Sequence, residues 1–344
     1  MQIVRKLDMD AWRDFVMQNP RANIFHSPEM YQAFERTKEF VPQLWAAVKD
    51  SGEVQALLLP VDITVLGGPL RSLTTRSVVY GSVLCAPTDD GQEALALLLR
   101  EYNQDRGGGV LFTELRNIFD MSDLCPILEQ NGFVYEEHLN FLIDLTRPSE
   151  ELWKNIRSNA QRNIRKAQKS GVVIEEVQSL EDMKAAYAIL QDVYQRIQVP
   201  LPDWTLFEST FAVLYPKGMM RVLLAKLNGV NIAAVTLLLY KGSILYWYSG
   251  PLKEYSEYRA GDLLIWSCLQ LGQGAGCHTF DFGGGGKPDE EYGVRDFKAK
   301  FGGQLVSYGR NIAVHAPFKL KLSKIGYELL RGTLTKVHDN GNQG

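Results

Sequence analysis

The residues with the clearest chemical potential lie in the stretch DFGGGGKPDEEYGVRDFKAKFGG, residues 281–303. Its four consecutive glycines are Gly283, Gly284, Gly285 and Gly286. Without side chains, this backbone can come close to a ligand, and successive amides in such a turn can form an anion-binding nest. The spacing matches neither the phosphate-binding P-loop nor a dinucleotide fingerprint. The pattern predicts a substrate-binding loop, with a flexible surface loop as the alternative.

Two lysines follow the glycines. They alternate with apolar residues in the order Phe297, Lys298, Ala299, Lys300 and Phe301. This alternation predicts a strand with its aromatic rings on one face and two ammonium groups on the other. A fixed cation beside a bare loop suits acyl transfer, because the carbonyl oxygen becomes negatively charged in the tetrahedral intermediate. We therefore predict a catalytic cation here, and a solvated strand face with ordinary surface lysines is the alternative.

The elements that must position these groups follow one plan twice. Each half of the chain reads as helices, then a meander of antiparallel strands, then a helix and a further strand. Hairpin turns are predicted at Asn228-Gly229 and Lys241-Gly242. This order resembles the N-acyltransferase (GNAT) fold. The predicted fold class is α+β, with two tandem GNAT-like domains whose mixed central sheets are flanked by helices.

The length of 344 residues also favours two domains, since one domain usually has about 100 to 200 residues. We predict a first domain over residues 1–145 and a second, carrying the catalytic motif, over residues 146–315. Pro148 and a shift to basic residues mark the linker between them. A C-terminal helix and tail over residues 316–344 are predicted to pack back on the first domain.

Composition excludes several classes of function. Hydrophobic residues make up 45% of the chain and charged residues 22%, which is typical of a folded globular protein. The net charge of -3 gives no overall attraction to nucleic acid, and we predict no DNA partner. The sequence contains no signal peptide and no apolar run long enough to span a membrane, so a cytoplasmic location is predicted.

The segment FKLKLSKIGYELLRG from Phe318 indicates either peripheral membrane contact or a helix packed on its own protein.

Two segments are candidates to bind the acyl donor. A helix predicted over residues 153–169 carries six cations, among them Arg162 and Arg165, and no acidic residue. Such a face can hold the phosphates of tRNA or of a nucleotide-linked precursor, or can simply be solvated. The segment YRAGDLL, with Arg259 and Gly261, lies where a GNAT enzyme holds the pyrophosphate of coenzyme A. Only one glycine of the usual set is present, which weakens acyl-CoA as donor and leaves aminoacyl-tRNA or another acyl carrier open.

Residues 155–303 resemble the FemABX family, the aminoacyltransferases that build the interpeptide bridges of peptidoglycan. The resemblance rests on the motifs RNIRKAQKSGV, AGDLLIWSCLQLGQGAGCHTFDFGG and FKAKFGG, and in the first half on FHSPEMYQAF. It implies transfer of an amino acid from aminoacyl-tRNA to an amine of a cell-wall precursor, with no metal and no tightly bound cofactor. It also implies that Lys298 is catalytic, with Phe297 beside it.

The remaining predicted site residues surround this lysine. Asp281 and Asp296 are the candidates for a general base. Tyr292 and Arg295 are predicted to shape the acceptor cleft together with the glycines. Tyr248, in the segment LYWYSG, is predicted to line that cleft.

Two departures from the bridge-forming enzymes leave the acceptor open. The second half has no heptad insertion for a coiled-coil arm, and the first half has no clear equivalent of the lysine that some members use for precursor phosphates. Two alternatives follow. One is an acyl-CoA-dependent N-acyltransferase acting on an amino sugar of a surface polysaccharide, and the other is a non-catalytic RNA- or saccharide-binding module.

Overall fold

Apolar segments bounded by turn residues form the strands of three sheets in a computed structural model, which describes residues 1–323 and 325. The strands are β1 (Gln2–Val4), β2 (Phe40–Pro42), β3 (Trp45–Val48), β4 (Val54–Leu58), β5 (Val61–Thr64), β6 (Thr75–Val79), β7 (Leu84–Cys85), β8 (Phe112–Arg116), β9 (Val134–Glu136), β10 (Leu139–Asp144), β11 (Val173–Glu176), β12 (Met220–Leu227), β13 (Val230–Tyr240), β14 (Ser243–Pro251), β15 (Thr279–Asp281), β16 (Gln304–Ser307) and β17 (Arg310–Val314).

The α-helices are α1 (Met9–Gln18), α2 (Pro28–Glu35), α3 (Arg71–Thr74), α4 (Asp89–Arg106), α5 (Cys125–Gln130), α6 (Ser149–Asn155), α7 (Ser158–Lys169), α8 (Leu180–Arg196), α9 (Trp204–Leu214), α10 (Ala260–Gly274) and α11 (Gly293–Lys298). Short 3₁₀ helices span Ile24–His26, Gly68–Leu70, Ser122–Leu124, Tyr215–Lys217, Lys253–Tyr258 and Ala299–Phe301. Residues 317–323 and 325 are also helical.

The second of two compact units, formed by residues 23–38 and 137–309, holds the glycine and lysine stretch. Its sheet has the order β11-β12-β13-β14-β15-β10-β16. The predicted hairpin turns are confirmed, since Asn228-Gly229 and Lys241-Gly242 have positive φ at both positions, as a two-residue turn of type I′ requires. Helix α10 then crosses over the sheet and leads into β15, which runs parallel to β14. The phenylalanine side chains of β15 and the following residues lie in one core with α7 and α10.

Among the described residues, the first unit consists of residues 1–22, 39–136, 310–323 and 325. Its two sheets have the orders β1-β3-β4-β7 and β2-β5-β6-β8-β17-β9. The apolar run VQALLLPVDITVL from Val54 predicts one long strand. The structure divides it into β4 and β5, which pair in different sheets, because Pro60 lies between them and lacks an N–H group. Helix α4 connects β6 to the parallel strand β8, as α10 connects β14 to β15. Both units therefore share the plan that the sequence predicted.

The compact units are not continuous in sequence, unlike the predicted domains 1–145 and 146–315. Strand β10 lies before residue 145 but pairs with β15 and β16 in the second unit. Strand β17 lies near residue 315 and pairs with β8 and β9 in the first unit. Of the predicted C-terminal helix, Lys319 contacts the first unit, where its Nζ donates to the Gly108 carbonyl at 2.7 Å. Residues 324 and 326–344 of that prediction lie outside the described residues.

Two predicted elements differ in the structure. The single helix expected over residues 153–169 is divided into α6 and α7, because Ile156 and Arg157 are extended. Ile156, Ala160 and Ile164 of this segment are buried. The strand expected over residues 297–301 is wrong: this segment is the end of α11 followed by a 3₁₀ turn.

Candidate active site

The candidate site begins where β14 and β15 separate. The two strands pair in parallel only from Ser243 to Leu245 on β14, after which β14 continues to Pro251 while β15 ends at Asp281. The glycines follow directly. At Gly283, φ is +74° and a Cβ atom would lie 2.8 Å from the Tyr246 carbonyl oxygen. Only glycine fits this position without strain, because the chain must turn in the left-handed region against a neighbouring backbone.

The amides of the glycine loop donate to the protein itself. The Gly283 amide donates to Asp281 Oδ1 at 2.6 Å and the Gly284 amide to Asn140 Oδ1 at 2.9 Å. The Gly285 amide donates to the Leu139 carbonyl. These three groups are therefore already used and do not form the open anion nest that the sequence suggested. The loop is instead fixed to β10.

The carbonyls of this segment hold the side chain of Lys298. Its Nζ donates to the carbonyl oxygens of Phe282, at 2.7 Å, and Gly284, at 2.6 Å. Lys298 is only 8% exposed, and burial lowers its pKa to about 8, although Asp281 acts in the opposite direction. An ammonium group has three N–H donors. Within residues 1–323 and 325, two of them meet acceptors, so one remains for a substrate oxygen.

The Asp281 carboxyl group braces the loop from the other side. It accepts from Asn140 Nδ2 at 2.6 Å as well as from the Gly283 amide. Burial raises the pKa of Asp281, and these hydrogen bonds and Lys298 oppose the rise. Asn140 was not predicted from the sequence. Its only signal is an amide side chain within the otherwise apolar strand LNFLI, and the contact joins residues 141 positions apart.

Three further predicted residues lie around Lys298. Tyr292 precedes α11 with its ring against Gly286, where a Cβ atom would lie 3.0 Å from the ring. Arg295 donates to the carbonyls of Lys287, at 2.6 Å, and Glu290, and so holds the acidic segment that follows the glycines. Phe297 packs edge-on against Phe301, with ring centroids 5.6 Å apart. Asp296, the second base candidate, is exposed.

A cluster of aromatic side chains lies between β14 and the helices α8 and α9. The Tyr248 ring lies 5.8 Å from Tyr194 of α8 and 5.1 Å from Phe207 of α9, centroid to centroid. Burial raises the pKa of Tyr194 to about 12, and nearby Tyr292 contributes in the same direction. Tyr248 lies on β14 beyond its pairing with β15, and its place in the acceptor cleft stays a prediction. Tyr194 and Phe207 were missed, since α8 and α9 are distant in sequence and their apolar faces read as ordinary core.

The predicted donor-binding residues lie on α7 and at the start of α10, which pack against each other. Arg162 and Arg165 are exposed on α7, and the Arg165 guanidinium lies 5.3 Å from the centre of the Trp153 ring. Arg259 immediately precedes α10 with a φ of +58°. Gly261 meets the Lys298 helix, since a Cβ atom there would lie 3.8 Å from the Phe297 ring. Gly261, a donor candidate on α10, thus lies next to the helix that carries Lys298.

A buried acid occupies the first turn of α10. Asp262 is buried, and Asn163 Nδ2 of α7 donates to its Oδ1 at 3.3 Å. Burial raises the pKa of Asp262, while Asn163, Lys300 and Arg259 oppose the rise. An acid here weakens phosphate binding at this helix N-terminus.

Comparisons with known proteins agree with this geometry. Residues 154–298 match the family described as acetyltransferase (GNAT) domain. No curated protein matches the chain. The crystal structure of FemX is similar with a TM-score of 0.72 and 15% identity, over 94% of this chain and 100% of that one.

Two further structures share the fold. L-PGS from Bacillus licheniformis has a TM-score of 0.60 and 14% identity, over 94% of this chain and 97% of that one. A tandem GNAT protein from the clavulanic acid biosynthesis pathway has a TM-score of 0.56 and 13% identity, over 92% of this chain and 99% of that one. The predicted tandem GNAT-like fold is confirmed, and the resemblance to the FemABX family is confirmed as a likeness of fold.

Proposed function

We propose that this chain, an acyltransferase whose residues 154–298 match a GNAT domain and whose fold is similar to that of FemX, joins an acyl group to an amine of a cell-envelope precursor. The proposed donor is an aminoacyl-tRNA, which would place the reaction in the cytoplasm. One observation carries the proposal. Lys298 is buried where β14 and β15 separate, and among the residues that the structure describes two carbonyls accept from it, which leaves one N–H.

The geometry supports a direct transfer. The acceptor amine attacks the ester carbonyl carbon, and the carbonyl oxygen takes up the negative charge of the tetrahedral intermediate. The free N–H of Lys298 stabilises that oxygen more than it stabilises the neutral ester. The C–O bond of the ester then breaks, and the departing alkoxide accepts the proton lost by the amine. Asp281 remains the candidate for relaying that proton, and it also positions the loop that holds Lys298.

The charges on α7 and α10 favour a tRNA donor over coenzyme A. The first turn of α10 presents the carboxyl group of Asp262, which opposes a pyrophosphate there. The exposed face of α7 carries Arg162, Lys166 and Lys169 and no acidic residue, which suits an extended polyanion. The C-terminal domain of a putative lysylphosphatidylglycerol synthetase from Agrobacterium fabrum has a similar fold, with a TM-score of 0.58 and 14% identity, and the name of that protein is in keeping with transfer of an amino acid.

The test compares Lys298→Met with Lys184→Met, which removes an exposed lysine from α8. Purified chain is given aminoacyl-tRNA and a nucleotide-linked muropeptide, and amide formation is followed by mass spectrometry. We expect Lys298→Met to lower kcat about 10²- to 10³-fold, the usual cost of one oxyanion donor. Lys184→Met should match the unmodified chain. Equal activity of both variants would show that Lys298 is not the oxyanion donor.

A second candidate is an acyl-CoA-dependent N-acyltransferase that modifies an amino sugar of a surface polysaccharide. It is favoured by the match of residues 154–298 to an acetyltransferase domain. Calorimetric titration with coenzyme A separates the two. Tight coenzyme A binding that Arg259→Gln weakens would support this candidate and count against the tRNA donor.

A further inference from the structure

Two segments of the first unit expose large apolar side chains. Residues 65–74 connect β5 to β6 and include helix α3, and we call this connection the loop over residues 65–74. In it Val65 is 65% exposed, and Leu66 and Leu70 are also exposed. In the helix over residues 317–323 and 325, Phe318 is 75% exposed. Leu322 and Ile325 are exposed as well. Positions 318, 322 and 325 have the spacing of one helix face, so this helix turns its apolar stripe away from the protein.

These two segments lie on either side of one turn, residues 107–111. The Lys319 Nζ donates to the Gly108 carbonyl at 2.7 Å. Leu111 donates its amide to the Thr75 carbonyl at 3.0 Å and accepts from the Ala316 amide at 3.2 Å. A cavity of about 600 Å³ lies between loop and turn, lined among others by Gly68 and Arg71 of the loop. The exposed apolar residues of 65–74 and of 317–323 and 325 therefore lie in two segments next to the same turn, and we call them together the apolar edge.

The charge on the apolar edge is positive. Residues 65–74 contain Arg71 and residues 317–323 contain Lys319 and Lys321, and neither segment contains an acid. Arg71 and Lys321 are exposed. The nearest acids of the cavity are paired, because Asp62 accepts from Arg106 and Asp105 lies within 3.7 Å of arginine side chains.

We propose that the apolar edge docks on an anionic membrane surface, with its apolar side chains among the acyl chains and its cations at lipid phosphates. Apolar side chains beside cations have this affinity when they share one face. A second copy of the chain fits less well, since a two-fold interface would bring the cations of both copies together. Within residues 1–323 and 325 no helix is long and apolar enough to cross a membrane. The inference does not depend on the proposed reaction.

Flotation of the full chain with vesicles tests this without any substrate. We expect binding to phosphatidylcholine vesicles that contain phosphatidylglycerol, weaker binding without it, and loss of binding at high salt. Phe318→Ser should weaken binding about tenfold, from the lost insertion of one ring. Arg71→Gln and Lys321→Gln should each weaken binding about fivefold, since one basic residue near an anionic surface contributes about 1 kcal/mol.

The controls sit elsewhere on the first unit. Val134→Ser removes a side chain that is 66% exposed, and Lys6→Gln removes an exposed lysine; neither should change binding. Circular dichroism checks folding, and Leu66→Ser replaces Phe318→Ser if the latter unfolds. Absence of binding to anionic vesicles would overturn the proposal. So would equal losses in Val134→Ser, or a dimer that Phe318→Ser disperses without any vesicle binding.

Discussion

At the scale of single residues, the candidate site is a cation held by backbone carbonyls. Lys298 has no hydrogen-bonded carboxylate partner among the described residues; it meets the oxygens of Phe282 and Gly284. Carbonyl dipoles stabilise the ammonium without neutralising it. The buried charge therefore remains available to a substrate oxygen at the end of β15, where water is partly excluded.

The protonation state of Lys298 sets a pH limit on the proposed reaction. Burial lowers its pKa to about 8, and only the protonated form can stabilise an oxyanion. We expect kcat with saturating acceptor to fall as the pH rises through about 8. The measurement is a pH-rate profile, with each sample returned to neutral pH to confirm that the chain is intact. A rate that instead rises through pH 8 would contradict this role of Lys298 and would fit a neutral Lys298 side chain that acts as a base.

The sequence identified this lysine for reasons that were only partly structural. The motif FKAKF predicted a strand, but Phe297 and Phe301 are four residues apart and fall on one face of a helical turn just as well. The resemblance to FemABX proteins pointed to the same residue whatever its element. Asn140 could not be found this way, because its role depends on strand β10 lying beside β15, and local patterns do not show which strands pair.

At the scale of elements, the glycine loop and α11 form one support for Lys298. The loop amides donate to Asn140 and Leu139 of β10, and the Gly284 carbonyl accepts a hydrogen bond from Lys298 Nζ. Arg295 ties the following segment back to α11. The repeated glycines thus allow a tight turn between strands and do not form an open anion-binding nest. The sequence could not distinguish these two uses, since both require backbone without side chains.

Substitution in this loop should disturb stability and turnover together. Gly283→Ala places a Cβ 2.8 Å from the Tyr246 carbonyl at a φ of +74°. We expect the free energy of unfolding to fall by about 1–3 kcal/mol, and kcat to fall because the carbonyl partners of Lys298 move. Gly293→Ala is the matched control, since no atom lies within 4 Å of its Cβ position. Urea unfolding and turnover assays check both variants, and equal effects would contradict this account.

Helix α7 makes a separate prediction about the donor. Arg162→Gln combined with Lys169→Gln removes two exposed cations. If α7 contacts phosphates, tRNA affinity should fall and the slope of log affinity against log salt should decrease by roughly 2. Filter binding at several salt concentrations measures this, with Lys6→Gln and Lys184→Gln as the charge-matched control. An unchanged slope would mean that α7 is only a solvated face.

At the scale of the whole molecule, each unit contains one strand that the predicted domains 1–145 and 146–315 assign to the other half of the chain. Strand β17 lies between β8 and β9, and β10 lies between β15 and β16. The order of elements could be predicted from the sequence, because periodicity and turn residues are local. The pairing of β10 and β17 with strands of the other half could not be predicted, since both look like ordinary strands at the ends of their own halves.

A truncation tests how much the first unit depends on this pairing. Residues 1–145 alone lack β17, so β9 loses its partner and the edge of β8 is exposed. We expect this fragment to show no cooperative thermal unfolding. The same fragment joined by a flexible linker to residues 309–325 should recover it. Cooperative unfolding of residues 1–145 alone would show that β17 is dispensable.

The position of β17 also bears on how the chain folds while it is being made. A ribosome releases residues in order, yet the sheet of the first unit closes only when Arg310–Val314 have emerged. Until then the nascent first half carries β8 with an open edge, a template for unwanted pairing. The second unit, whose strands β10 to β16 are consecutive in synthesis, can close earlier. The half that is translated first should therefore be the last to mature.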